Sequence, residues 1–81
     1  MSENYIDGIM EIIEVISRRS EDITPDTYII RDGYIDSLNI FQIIIEIENR
    51  FNVSIGIMDA IVEDFSTPNT ILALVNRLKS K

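Results

Sequence analysis

The chain has 81 residues, 46% of them hydrophobic and 26% charged, which suits one small folded domain over residues 1–81 and leaves little room for a second. Fourteen acidic against seven basic side chains give a formal charge of -7, a field that repels a nucleic-acid backbone and favours basic protein surfaces as partners. The chain has no cysteine and no histidine, so it has no disulfide, thiol catalysis or thiolate metal site, and no imidazole for acid and base work near neutral pH.

Met1 to Asn4 shows no basic stretch leading into an apolar run, and the longest uninterrupted apolar segment is Ile71 to Val75. Neither export nor membrane insertion is expected from that pattern, and the expected location is the cytoplasm. Ile6, Ile9, Ile13 and Ile16 recur at helical spacing, with Met10 and Ile12 widening the stripe, which predicts a first amphipathic helix. Ser2 is its expected N-cap. Arg18 and Arg19 sit where the negative end of the helix dipole favours cations, and Gly8 in the interior carries a cost in stability.

From Ser20 to Asp36 the helical pattern is lost. Thr24-Pro25-Asp26-Thr27 and Arg31-Asp32-Gly33 read as turns within a long connection, and Tyr28, Ile29 and Ile30 read as an anchor against the core rather than as a strand. A second helix is expected from Asp36 or Ser37 to about Phe51. At about 100° per residue, Ile40, Ile43, Ile44, Ile47 and Phe51 share a core face. Leu38, Phe41 and Ile45 fall nearly opposite, beside Glu48 and Asn49, and form a second apolar stripe that the core does not need.

Ile57, Ile61 and Phe65 predict a short third helix between Ile57 and Phe65. Thr67-Pro68 then gives a strong start signal for a last helix, with Ile71, Leu74, Val75 and Leu78 on one face and Arg77, Lys79 and Lys81 at the end the dipole favours. The pattern is therefore all-α: three substantial helices and one short one, packed as a small bundle.

The string Gly33-Tyr34-Ile35-Asp36-Ser37-Leu38 lies where the long loop meets the second helix. A serine at a helix N-terminus presents its hydroxyl beside unpaired amides and the positive dipole end, a setting that stabilises an attached phosphate. On those residues alone an ordinary helix cap is the simpler account. The string stands, however, in a small acidic helical chain, behind a long loop and next to an apolar stripe left over from the core.

In this combination the sequence resembles the acyl carrier proteins over nearly its whole length, Tyr5 to Leu78. Gly33-x-x-Asp36-Ser37-Leu38 is similar to the motif in which a serine following aspartate carries phosphopantetheine at the start of the second helix. The resemblance implies a four-helix carrier bundle with a long loop between its first two helices, and attachment of the cofactor to Ser37. Asp36 would help to orient the site. It further implies a phosphopantetheinyl transferase that draws the group from coenzyme A, a loading ligase or transferase, and downstream enzymes that use the cargo. The cargo would ride as a thioester on the arm's thiol, so the chain would be a monomeric carrier that does no bond chemistry itself.

By the same resemblance the second helix is the main docking surface, which gives Leu38, Phe41, Ile45 and Glu48 a role against basic, partly apolar enzyme surfaces. Packing of that stripe under the loop or against the third helix is the alternative. Fatty-acid carriers place acids two and five positions after the serine, where this chain has Asn39 and Gln42, and Arg50 interrupts the acidic run expected late in the helix. Ile47-Glu48-Asn49-Arg50-Phe51 and Thr67-Pro68-Asn69 with Ile71 look instead like the D-alanyl carrier proteins that serve teichoic acid decoration.

Three rival readings have consequences of their own. Asp22, Asp26, Asp32 and Asp36 recur along one loop, but no window supplies the alternating oxygen ligands, central glycine and final glutamate of a calcium loop, so no metal site is expected. A helical interaction module would use the Leu38, Phe41, Ile45 stripe as a dimer or adapter interface, with Ser37 merely a cap. A hydrolase built on Ser37 has no histidine or suitably placed lysine to take the proton.

Overall fold

The computed structural model describes residues 5–19, 22–56 and 58–80. In chain order these form α1 (Ile6–Ser17), α2 (Ser37–Phe51), a 3-10 turn (Val62–Phe65) and α3 (Pro68–Lys79). The expected N-cap Ser2 and the expected helix start Ile57 lie outside the described residues. Among the described residues there is no strand, and no helix is long and apolar enough to cross a membrane.

Each α-helix begins or ends where local chemistry satisfies the free backbone groups. α1 ends at Arg18, whose φ of 61° is left-handed and stops propagation. α3 starts on a reciprocal cap in which Thr67 Oγ1 accepts from the Thr70 amide and Thr70 Oγ1 accepts from the Thr67 amide, both at 3.0 Å, with Pro68 in the first helical turn. α2 ends at Asn52 with φ 56°, and Lys79 Nζ donates to the Phe51 carbonyl at 3.1 Å, satisfying one of the acceptors a helix end leaves open.

α1 packs on both α2 and α3, and the 3-10 turn packs on α3. Between them Ile9, Ile12 and Ile13 of α1 meet Ile40, Ile43 and Ile47 of α2 and Ile71, Leu74 and Val75 of α3. Ile44 and Phe51, expected on the α2 core face, are only partly buried at its margin. The loop contributes Ile23, Ile29 and Ile35 to the same core, and Phe65 closes it from the 3-10 turn.

Gly8 has a positive reason to be where it is. A Cβ there would stand 2.9 Å from Phe51 Cζ, so the missing side chain lets α1 approach the end of α2. The helix-propensity cost read from the sequence is offset by this close packing. Phe51 is held in turn by an edge-on contact with Tyr5, with ring centroids 5.4 Å apart.

The short helix differs from expectation. Among the described residues of the expected span, only Val62–Phe65 is helical, and as a 3-10 turn rather than an α-helix. Asp59 Oδ2 takes the Gly56 amide at 2.7 Å and Asp64 Oδ2 takes the Ile61 amide at 2.9 Å. Aspartates that bond nearby amides in this way offer the backbone an alternative to α-helical pairing. Ile61 is consequently exposed, whereas Phe65 is buried.

Candidate functional site

The loop before α2 is built to deliver residues 35–37 in one conformation. The Ile29 amide donates to the Ser66 carbonyl at 2.9 Å, and the Ile35 amide donates back to the Ile29 carbonyl at 3.0 Å. Gly33 sits between them at φ 85°, a value that glycine adopts without strain. Ile29 and Ile35 are both buried, so the loop is pinned to the core on either side of that turn. A second tether joins the loop to α3: the Asn69 amide donates to the Pro25 carbonyl at 3.0 Å, and Asn69 Nδ2 donates to Asp26 Oδ1 at 2.8 Å.

Asp36 is the N-cap of α2, in an extended conformation, and its Oδ1 accepts from the Leu38 and Asn39 amides at 3.0 Å each. Asn39 returns the bond: its Oδ1 accepts from the Asp36 amide at 2.9 Å, while its Nδ2 donates to Gln42 Oε1 at 2.8 Å. Ser37 is thus the first residue of the helix rather than its cap. Its side chain is exposed, and among the described residues its hydroxyl has no hydrogen-bond partner. It borders an open cleft of ≈ 500 Å³ lined by Ile30, Gly33, Tyr34, Ile35, Asp36, Ser37 and Asn39.

The second stripe of α2 faces solvent. Leu38 is 73% exposed, Phe41 66% and Ile45 56%, so packing under the loop or against the third helix does not account for them. Glu48 is placed differently: it is part-buried, and its Oε2 accepts from the Ile55 amide at 2.8 Å, tying α2 to the segment that follows it. Arg50 reaches across to α1 and bonds Glu11. Beside that pair a groove of ≈ 380 Å³ runs between α1 and α2, with Ile12, Val15, Ile16 and Ile45 in its walls, but it does not reach Ser37.

Three of the four loop aspartates have partners within the chain. Asp26 holds Asn69, Asp32 lies 3.4 Å from Arg31 Nε and Asp36 caps α2. Among the described residues no group of three or more histidine, cysteine, aspartate or glutamate side chains is arranged to hold a metal ion. Sequence reasoning did not find the Asn39 clasp, although an asparagine three residues after a capping aspartate is a spacing that signals it. It also missed the exposed side chains of Met58, Ile61 and Val62, because a helical pattern was assumed where aspartate side chains set the backbone.

The site therefore combines an exposed primary alcohol, without a hydrogen-bond partner among the described residues, with a reciprocal cap behind it and an apolar helix face beside it. The description of the family whose model matches residues 8–75 is "Phosphopantetheine attachment site". The chain belongs to this family. Its matched span runs from α1 through most of α3 and includes the whole loop and α2. The chain is also 28% identical over 76 residues to the D-alanyl carrier protein of Staphylococcus saprophyticus, a match that covers 93% of this chain and 97% of that protein. Membership of the family makes this a carrier protein with a covalently attached phosphopantetheine. The residues at the start of α2 fit such a group: the exposed Ser37 hydroxyl, with no hydrogen-bond partner among the described residues, borders an open cleft.

Proposed function

We propose that Ser37 carries the phosphopantetheine and that the chain moves an acyl or aminoacyl group from a loading enzyme to enzymes that use it. The observation that carries this reading is the Ser37 hydroxyl at the first position of α2, exposed and without a hydrogen-bond partner among the described residues. Attachment would join Ser37 Oγ to the pantetheine-bearing phosphorus of coenzyme A. The bond from that phosphorus to the bridging oxygen breaks, adenosine 3′,5′-bisphosphate leaves, and the hydroxyl proton passes to a base of a separate phosphopantetheinyl transferase. Once attached, the group supplies the thiol that holds cargo as a thioester.

In this reading the chain is a non-catalytic, monomeric cytoplasmic carrier whose three helices and 3-10 turn correspond to the four-helix carrier bundle. Asp36 fixes the backbone on which the hydroxyl is presented. Leu38, Phe41 and Ile45 form the docking surface, with the surrounding negative charge drawing in basic partner surfaces. Labelling with a fluorescent coenzyme A analogue and a broad-specificity transferase, followed by peptide mapping, should put the label on the peptide holding Ser37. Label on another residue would sink the assignment. The rival interaction module predicts no label and concentration-dependent self-association through the same stripe.

A narrower second reading, D-alanine as cargo for teichoic acid decoration, is favoured by the similarity to the staphylococcal D-alanyl carrier protein over most of both chains. It is tested by offering the modified protein to a D-alanine-activating ligase with ATP, beside an acyl-loading enzyme of fatty-acid synthesis. D-alanylation without acylation supports it, and the reverse preference removes it.

A further inference from the structure

We propose that Asn39 is a positioning residue for the modification of Ser37, acting through the Asp36 main chain to hold the first turn of α2 in the conformation the transferase needs. This rests on the reading of Ser37 as the attachment residue. The argument begins from what a helix start lacks. Its first amides have no partner within the helix, so the first turn frays unless side chains close it, and Ser37 is the first residue of that turn. Asp36 alone would satisfy the Leu38 and Asn39 amides, but its own amide, between the pinned Ile35 and the first turn, would be left to water.

Asn39 supplies the missing partner. Its Oδ1 takes the Asp36 amide at 2.9 Å, so the residues on both sides of Ser37 are locked to each other by bonds running in opposite directions. Gln42 braces the clasp, accepting from Asn39 Nδ2 at 2.8 Å one turn further along. Ser37 itself takes no part in any of these bonds, so its side chain stays available while its backbone is fixed. Asp36 and Asn39 also line the same cleft as Ser37, whereas Leu38, Phe41 and Ile45 do not.

A purely stabilising cap would make the protein melt earlier without altering the reaction of the folded form. A positioning cap has a different signature: because docking is intact, KM for the carrier is unchanged, while kcat falls as Ser37 samples frayed conformations in the complex. One cap of ordinary strength bounds the loss at about five-fold. Thr67 provides the matched control, because it closes α3, not α2, by the same kind of reciprocal cap.

The experiment is steady-state phosphopantetheine transfer from coenzyme A to the full-length chain, for wild type, Asn39→Ala, Asn39→Asp and Thr67→Ala, with melting temperatures measured alongside. Asn39→Ala should lower kcat about three- to five-fold at unchanged KM. Asn39→Asp, which keeps an oxygen for the Asp36 amide, should stay within about two-fold of wild type. Thr67→Ala should melt earlier and react at the wild-type rate. Equal slowing by Asn39→Ala and Thr67→Ala, no slowing by Asn39→Ala, or failure of Asn39→Asp to restore the rate would each overturn the proposal. Lack of modification of the wild type would instead overturn the assignment of Ser37 on which it rests.

Discussion

Phe41→Ala removes the middle side chain of the exposed α2 stripe and leaves the buried face of that helix intact. The ring is 66% exposed. An aromatic side chain offers roughly 200 Å², so about 130 Å² remains for a partner to cover. At about 25 cal/mol per Å² that cover is worth at most about 3 kcal/mol. Ordering the ring and desolvating its neighbours offset part of this, so the expected loss of affinity is about ten- to thirty-fold, or about 1.4 to 2 kcal/mol. In the free protein the ring buries little, and the change should shift unfolding by less than about 1 kcal/mol. The assay is phosphopantetheine transfer with the carrier varied, where Phe41→Ala should raise KM about ten-fold or more with little change in kcat. An unchanged KM, or a rise matched by a comparable loss of thermal stability, would refute docking through this face.

The core makes the opposite demand. Ile43, on the core face of α2, is fully buried, and Ile43→Ala should destabilise the fold by about 2 to 4 kcal/mol, visible as a large drop in melting temperature. Gly8→Ala should lower stability although alanine favours helix by about 0.8 kcal/mol, because its Cβ meets the half-buried Phe51 ring at 2.9 Å; a rise in melting temperature would contradict this. Glu48→Gln should cost about 1 kcal/mol of stability by weakening the bond to the Ile55 amide, while the KM of transfer stays unchanged. A raised KM at full stability would return Glu48 to the docking surface.

The helices were legible because their signals are local. The Thr67-Pro68 start, the Asp36 cap and the rows Ile40, Ile43, Ile47 and Ile71, Leu74, Val75 follow from spacing and cap chemistry, and the structure buries those rows. The exposed stripe was legible for the same reason, since a helix that has filled one face leaves its other apolar residues in water. Ile23 and Ile35 were not recognised as core, because single isoleucines in a polar loop have no period to announce them, and their burial depends on where the loop crosses the bundle. Ser37 was legible as a candidate from its motif. Its free hydroxyl was not, since that depends on Asp36 and Asn39 satisfying each other and leaving the serine out of the cap. Glu48 and Arg50 looked alike as surface charges, and their partners, the Ile55 amide and Glu11, show that each also has a structural task.

The central claim is that Ser37 is the residue modified, and the most direct test is the intact mass of the protein before and after incubation with coenzyme A and a phosphopantetheinyl transferase. The account predicts a gain of one phosphopantetheine in the wild type and none in a folded Ser37→Ala variant. A gain that persists in Ser37→Ala, or no gain in the wild type with a panel of transferases, would contradict it.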